Sequence, residues 1–490
     1  MREAFVHIDH LSVQFQNRRI LQDLSWTIIR GEHWLLTGKS GSGKTVLAKA
    51  IAGLIHGQGT VDVHFDESLD LPAKVMFVAQ WFAFKDKQGG SNFYYQQRYN
   101  SQDLDNSATV LETLSAYAET LKKTAGETED MLKRFDLWHR KDAPLLQLSS
   151  GEHKKIQLTK ALLRRPQLLI LDNPYTGLDV QSRANLNVFL DQACAQGMQL
   201  IMISNDGQEP SCINRFAHLE EGRLVMSVSP QLSGPEESVD LPLIPDFLNA
   251  PTAEGVGEII RIRNVNVSYS EKQVLHNVSW TVNKGEKWLL SGHNGSGKST
   301  LLSLLTGDNP QAYANEIYIF GKRRGTGESI WDIKKNIGFI SPELQWYFES
   351  GSTVFQTVAS GFFDTSGLFR SISTGQAEKV KALLHLFGLE CDAQTLLKQL
   401  PLGKQRVALL ARAIVKNPPL LILDEPCQGL DSTQTRMLNG LVDRLCTPDR
   451  TLIYVGHFQD RLPSCIDKKL ALAAGEASIT PLLTYNEVTT

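Results

Sequence analysis

One glycine-rich octet occurs twice in this chain, each time in the same setting, and that duplication limits the fold more than any other feature. GKSGSGKT (38–45) and GHNGSGKS (292–299) both fit Gly-x4-Gly-Lys-Ser/Thr. The echo extends upstream: residues 11–45, LSVQFQNRRILQDLSWTIIRGEHWLLTGKSGSGKT, return at 265–299 as VNVSYSEKQVLHNVSWTVNKGEKWLLSGHNGSGKS, with Trp26/Trp280 and Gly31/Gly285 in matching places. Later landmarks keep step, since Gly151 to Asp172 and Gly403 to Asp424 are both 21 residues, and Asp172 to Asn205 and Asp424 to His457 are both 33. Equal spacing over such distances means two copies of one domain, and 490 residues is too long for a single core. The expected division is a first domain over 1–225, an exposed linker over 226–256 rich in Pro, Ser and acids, and a second domain over 257–490.

The local pattern is α/β. WLLTG and WLLSG are short apolar runs ending in Gly and followed by the helical patterns VLAKAIAGL and LLSLLTG, which puts each octet at a strand-to-helix turn. QLLILD and PLLILD are continuous apolar runs suited to strands buried on both faces of a parallel sheet, and LIMIS and LIYVG follow as further strands. The stretches 107–140 and 374–399 read as amphipathic helices of a separate helical subdomain.

This is the context in which such an octet binds phosphate, because glycines let consecutive backbone N–H groups wrap the anion at a helix N-terminus. The candidate cradles are Gly38, Lys39, Ser40, Gly41, Ser42 and Gly43 in the first copy, and Gly292, His293, Asn294, Gly295, Ser296 and Gly297 in the second. Lys44 and Lys298 are placed to reach the β- and γ-phosphates, Thr45 and Ser299 to ligate Mg²⁺, and Thr300 to follow in the same first turn. Asp172 and Asp424 each close an apolar strand with a carboxylate, the position from which a magnesium ion is held.

A short segment upstream narrows the family. LSSGE (148–152), followed by KKIQLTKALLRRP and then the LLILD strand, resembles the signature motif of ATP-binding cassette (ABC) ATPases. TGLD (176–179) and QGLD (428–431) are similar to that family's D-loops, and Gln80 to its Q-loop glutamine. Phe15 and Tyr269, each 29 residues before its lysine, match the aromatic residues that stack on adenine. The resemblance implies two P-loop NTPase nucleotide-binding domains, each with a RecA-like core and a helical subdomain, binding ATP and Mg²⁺ and hydrolysing ATP to ADP and phosphate. It also implies that each ATP is served by the P-loop of one domain and the signature of the other.

Read across the copies, the departures from the family pattern segregate. After Asp424 comes Glu425, the position that polarises the attacking water, and His457 stands where the family's switch histidine contacts the γ-phosphate. The first copy has Asn173 and Asn205 at those places, and the second copy's own signature, LPLGK (400–404), has Pro401 where Ser149 stands in LSSGE. One site therefore keeps Lys298, Glu425, His457, Ser149 and Gly151, and the other loses base, histidine and signature serine together. Pro342 replaces the Q-loop glutamine in the second copy, with Glu343 and Gln345 nearby as substitutes.

Longer echoes in the second copy, TGDNPQAYANEIYIFGKRRGTGESIWDIKKNIGFIS and LDEPCQGLD, resemble the tandem ABC ATPases associated with molybdate uptake, the ModF-type proteins. Translation-factor tandems carry a long basic linker and two catalytic glutamates, unlike the short acidic linker and single glutamate here. The double cassettes of sugar importers degrade the second copy rather than the first. The leading expectation is an ATPase subunit energising an ABC transporter, and the alternative is an ATP-driven regulatory or interaction protein with no permease.

Fifty Lys plus Arg against 53 Asp plus Glu leave a net charge of −3, so no global basic field favours nucleic acid as a partner. Six cysteines with no CxxC indicate neither a disulfide framework nor a zinc or iron–sulfur site. No run of about 18 apolar residues occurs, so a cytoplasmic location is expected, peripheral at the inner membrane face where a permease is the partner. The aromatic-rich segment 81–106 after Gln80 suits either a docking groove for that permease or a loop over its own helical subdomain; its surroundings are too weakly basic to favour stacking on nucleotides.

Overall fold

A computed structural model of the chain describes residues 4–15, 18–67, 73–80, 108–145, 148–205, 207–229, 243–250, 257–269, 272–342, 344, 348, 351–456 and 462–481. The chain divides into two compact units that change over between residues 237 and 238.

The first unit begins with β1 (Ala4–Phe15), β2 (Arg18–Ile29), β3 (Trp34–Thr37), β4 (Gln58–Val63) and β5 (Ala73–Val78), and continues with β6 (Pro166–Asp172), β7 (Gln199–Ile203), β8 (Arg215–Glu220) and β9 (Arg223–Ser227). β2, β1 and β4 form an antiparallel sheet in that order. The larger sheet runs β5-β6-β7-β3-β8-β9, parallel except for the β8–β9 hairpin. β3, β6 and β7 are buried along their whole length, the state that their unbroken apolar runs require. The helices are α1 (Lys44–Ile51), α2 (Val110–Thr120), α3 (Ala125–Arg134), α4 (Ser150–Leu163) and α5 (Val180–Ala195). α2 and α3 start at Thr109 and Thr124, whose hydroxyls accept from Glu112 and Glu127 N–H while those glutamates bond back to the cap N–H, so the start of each helix is written in its Thr-x-x-Glu.

The second unit repeats the plan. Its strands are β10 (Glu258–Tyr269), β11 (Lys272–Asn283), β12 (Lys287–Ser291), β13 (Glu316–Ile319), β14 (Lys322–Arg323), β15 (Ile337–Ile340), β16 (Leu420–Asp424), β17 (Thr451–Val455), β18 (Lys468–Ala473) and β19 (Glu476–Pro481). An antiparallel sheet β11-β10-β13-β14 accompanies a mainly parallel sheet β15-β16-β17-β12-β18-β19, the same order as in the first unit. The helices are α6 (Lys298–Thr306), α7 (Ile330–Lys334), α8 (Val354–Ala359), α9 (Thr374–Leu386), α10 (Leu402–Ile414) and α11 (Ser432–Leu445). In both units the glycine-rich loop leaves a central strand, β3 or β12, at its carboxyl end and enters a helix, where open parallel sheets bind ligands.

Not all of 226–256 is exposed. Residues 246–248 form a short 3₁₀ turn, and Leu248 is 1% exposed within the second unit's apolar core. Buried Arg450 donates to Leu248 O at 2.9 Å and Leu445 O at 2.6 Å, and Asn417 donates to Ala250 O at 3.2 Å. Leu248 fills a core position, Ile244 and Phe247 pack against the same core, and the arginine satisfies the carbonyl that this burial takes from water. Among the described residues no helix is long and apolar enough to cross a membrane.

Candidate nucleotide-binding sites

Each loop is bent by glycines that no other residue replaces without strain. Gly38 has φ +144°, and a Cβ there would lie 2.4 Å from Leu219 O; Gly292 has φ +154° and the same 2.4 Å conflict with Leu472 O. The lysines fold back over the loop they follow: Lys44 Nζ donates to Gly38 O and Lys39 O, both at 2.7 Å, and Lys298 Nζ to Gly292 O at 2.6 Å and His293 O at 3.0 Å. The hydroxyls of Ser42 and Ser296 are buried and have no hydrogen-bond partner among the described residues. A buried hydroxyl left unpaired costs about 1–3 kcal/mol, and the same orphan recurs at the same place in both loops. A phosphate oxygen is the partner that this curl of N–H groups is built to accept, so the residues present fit a nucleotide.

In the first unit Thr45 Oγ1 donates to Asp172 Oδ2 at 2.7 Å, placing a hydroxyl oxygen and a carboxylate oxygen side by side, the hard donors that Mg²⁺ prefers. Asp172 is 2% exposed, and burial raises its pKa against the opposing pull of the Thr45 hydrogen bond, Lys154 and Lys44. The other carboxylate oxygen, Oδ1, accepts from Asn173 Nδ2 at 3.1 Å. That amide also approaches Gln80 Oε1 at 3.4 Å, while Gln80 Nε2 lies 3.5 Å from Thr176 Oγ1. The residues at the base, Q-loop and D-loop positions are thus tied to one another. Asn205 makes a two-point clamp on the first loop residue: Gly38 N donates to its Oδ1 at 3.3 Å, and its Nδ2 donates to Gly38 O at 3.1 Å.

Lys154, in the second turn of α4, is buried and donates to Ala79 O at 2.8 Å and Gln80 O at 3.2 Å. Burial pulls its pKa down to about 7, against the attraction of Asp172. Sequence reasoning passed over it, because in the polar company of GEHKKIQ a lysine reads as a solvated face; the equivalent Arg406, buried and donating to Ser341 O at 3.2 Å, signals that this helix position carries a basic group inward in both copies.

The second unit holds the same backbone slot with different chemistry. Asn173 and Glu425 have φ 44° and 45°, and their N–H groups bond to Ile203 O at 2.9 Å and Val455 O at 3.1 Å respectively. Only the side chains differ: Gln428 Nε2 donates to Glu425 Oε2 at 2.8 Å, leaving a carboxylate where the first unit has an amide. Asp424, at 8% exposure, ends β16, and Ser299 and Thr300 occupy the first turn of α6 as Thr45 does in α1. Strand register identifies the Q-loop position, since Val78 pairs with Leu171 and Ile340 with Leu423; two residues on from each lie Gln80 and Pro342.

The two signature segments also differ. Ser149 caps α4, its hydroxyl accepting from Glu152 N at 3.3 Å and lying 3.0 Å from Glu152 Oε2, and Arg140 pairs with the same carboxylate at 3.0 Å; Gly151 sits buried in the first turn. Pro401 caps α10 with no side-chain hydrogen bond, and so offers no hydroxyl and no N–H. Tyr269 is half-buried at the end of β10, and its hydroxyl accepts from Asn309 at 2.8 Å. His457, the Phe15 side chain, Glu343, Gln345 and the segment 81–106 lie outside the described residues.

The sequence model of the ABC transporter family matches twice, over residues 21–176 and 275–428. The chain is 35% identical over 482 residues to the ABC transporter ATP-binding protein ModF of Escherichia coli (strain K12), covering 93% of this chain and 94% of that protein. It is also 30% identical over 474 residues to an uncharacterized ABC transporter ATP-binding protein of Schizosaccharomyces pombe, covering 94% and 96%. Paired glycine-rich loops, each followed by an acid-ended buried strand and matched along both copies, make this chain a member of the ABC transporter family, a tandem ATP-binding and ATP-hydrolysing cassette protein.

Proposed function

We propose that the two cassettes divide the work: ATP held by the loop of the second copy is hydrolysed, and nucleotide held by the first copy is retained. The carrying observation is the shared backbone slot occupied by Glu425 in one copy and by Asn173 in the other. A carboxylate there accepts a proton from water as the water attacks; an amide does not. In this reading Lys298, His457, Ser149 and Gly151 serve the same reaction as Glu425. Ser299 and Asp424, and in the first copy Thr45 and Asp172, would hold Mg²⁺, which would supply charge neutralisation to the phosphates. Phe15 and Tyr269 stack on adenine. The domains run over 1–225 and 257–490.

The role we infer is energising an ABC transporter at the inner face of the cytoplasmic membrane, with the permease engaging the region near residues 80–106. The likeness to ModF and to the molybdate-associated tandem proteins supports a molybdate-type oxyanion as cargo. Glu425→Gln tests the chemical assignment: turnover measured as phosphate release falls by about 100-fold or more while MgATP binding persists. Near-normal turnover in that variant refutes it. The same ATP-trapped variant, used as bait on solubilised membranes, recovers a membrane-spanning permease if the transport role is right, and recovers none if the protein acts without one.

A further inference from the structure

Four of the six cysteines scattered along the chain become two matched pairs in space. In the first unit Asp191 and Cys194 lie three residues apart at the end of α5, and Asp191 Oδ1 accepts from Cys212 N at 2.7 Å, drawing the loop before β8 onto the helix end. In the second unit Asp443 and Cys446 lie three apart at the end of α11, and Asp443 Oδ1 accepts from Cys465 N at 2.8 Å. Cys194 and Cys446 each belong to an apolar core, against which Cys212 and Cys465 pack, and all are free thiols. In each unit the aspartate therefore sets the second cysteine against the helix end that carries the first, and in the first unit the Cys194 and Cys212 thiols bear on each other's ionisation.

The first pair has a histidine beside it and opens on a cavity. Cys194 lines a cavity of about 210 Å³ together with His33, Arg30, Asp66 and Gln167. Leu200 N donates to His33 Nδ1 at 3.3 Å, which makes Nδ1 the acceptor and leaves the proton of the neutral ring on Nε2, free to be donated to the Cys194 sulfur. The matching position in the second unit is Lys287, whose ammonium is committed to Gly285 O at 2.6 Å and Thr447 O at 3.2 Å.

We propose that Cys194 and Cys212 form a peroxide-reactive dithiol, a modification site on the first cassette in which Cys194 is the nucleophile and Cys212 the resolving thiol. The cavity limits the oxidant to something small, and hydrogen peroxide fits a space of several water volumes. The Cys194 thiolate attacks one peroxide oxygen, the O–O bond breaks, and the hydroxide released takes a proton to become water, leaving a sulfenic acid on Cys194. The Cys212 sulfur then attacks the Cys194 sulfur; its thiol proton and the sulfenic hydroxyl leave as a second water as the disulfide forms. Two thiols and one peroxide give one disulfide and two waters. The ionisation pattern agrees with these roles: Cys212 first, then His33, favour the thiolate of Cys194 against burial and Asp191, whereas Cys194, burial and Asp191 all keep Cys212 protonated. Besides these groups, the charged side chains on the cavity wall are Arg30 and Asp66, which lie 3.9 Å from each other.

The test is a time course of the full-length protein in dilute hydrogen peroxide, quenched with N-ethylmaleimide and read by peptide mass spectrometry. The Cys194–Cys212 linked peptide should form about tenfold or more faster than the Cys446–Cys465 peptide, because Cys194 lines a cavity that admits peroxide and has His33 to favour its thiolate. With Cys212→Ser, Cys194 should accumulate as a sulfenic acid trapped by dimedone, and His33→Ala should slow its labelling at pH 7 and move the midpoint of its pH profile upward. Equal rates for the two pairs, or a Cys194 that stays reduced while exposed Cys391 is oxidised, would overturn the proposal.

Discussion

Asn205→Ala probes the amide that stands in the first cassette where the second copy has His457. In the structure both polar atoms of the Asn205 amide are used on one residue, Gly38 N at 3.3 Å and Gly38 O at 3.1 Å. Those bonds hold the first loop residue at φ +144°, a conformation with no intrinsic preference for phosphate binding. Each such bond contributes about 0.5–1.5 kcal/mol, and Asn205 is exposed, so two long bonds together amount to about 1–1.5 kcal/mol. If that energy is what keeps the empty loop in its receptive shape, removing it reduces the competent fraction and weakens apparent affinity by about 5- to 10-fold. The clamp grips the loop rather than the terminal phosphate, so ATP and ADP should weaken alike. Binding is measured in the full chain carrying Lys298→Ala, which silences the other loop, by titration with fluorescent ATP and ADP in the presence of Mg²⁺. A loss confined to ATP would mean that Asn205 contacts the γ-phosphate, and unchanged affinity for both would mean that the clamp does nothing; either result refutes the reasoning.

Other consequences are separable. Lys298→Ala should abolish steady-state ATP hydrolysis, while Lys44→Ala reduces it only in part, and equal loss of turnover in the two variants would contradict the division of labour. Ser149→Arg should stop hydrolysis about as fully as Glu425→Gln, with ATP still crosslinking to the second copy's loop, whereas Pro401→Arg has a far smaller effect; the reverse order would show that the signatures serve the other nucleotides. Lys154 is an amine whose folded pKa, about 7, lies below its unfolded value of 10.5, so between these limits the unfolded chain binds the extra proton and stability rises with pH. The neutral amine still donates to Ala79 O and Gln80 O, so the forfeited attraction of Asp172 offsets just part of the gain, which is lost progressively as the pH falls toward 7. Urea melts of the first unit's transition at pH 7 and pH 9 should show a slope of about 1 kcal/mol per pH unit that Lys154→Met flattens; an unchanged slope would mean that the lysine stays charged.

Much of the fold was legible because its signals are local. A continuous apolar run such as LLILD has no exposed face and so belongs inside a parallel sheet, and the structure buries β6 and β16 completely. The glycine octets mark sharp turns because only glycine tolerates φ near +150° with a carbonyl 2.4 Å from its missing side chain. Thr109, Thr124 and Ser149 announce helix starts by the acid three residues on. The duplication itself predicted that the sheet order found once would be found twice, as it is.

What the sequence alone determined, then, is which residues occupy strand ends, loop turns and helix caps, since each depends on neighbours a few positions away. The tertiary structure decided the rest. Asn173 and Asn205 read as losses, yet folding turns the first into a ligand of Asp172 and Gln80 and the second into a clamp on Gly38, 167 residues away in sequence. Leu248, in a stretch rich in Pro, Ser and acids, becomes a core residue of the second unit, where Arg450 donates to its carbonyl. Cysteines 18 and 19 positions apart, with no CxxC between them, meet because an aspartate at a helix end captures the amide of the second. Contacts of this kind depend on how the chain returns upon itself, and residue spacing records the path length between two groups but not the distance across the fold.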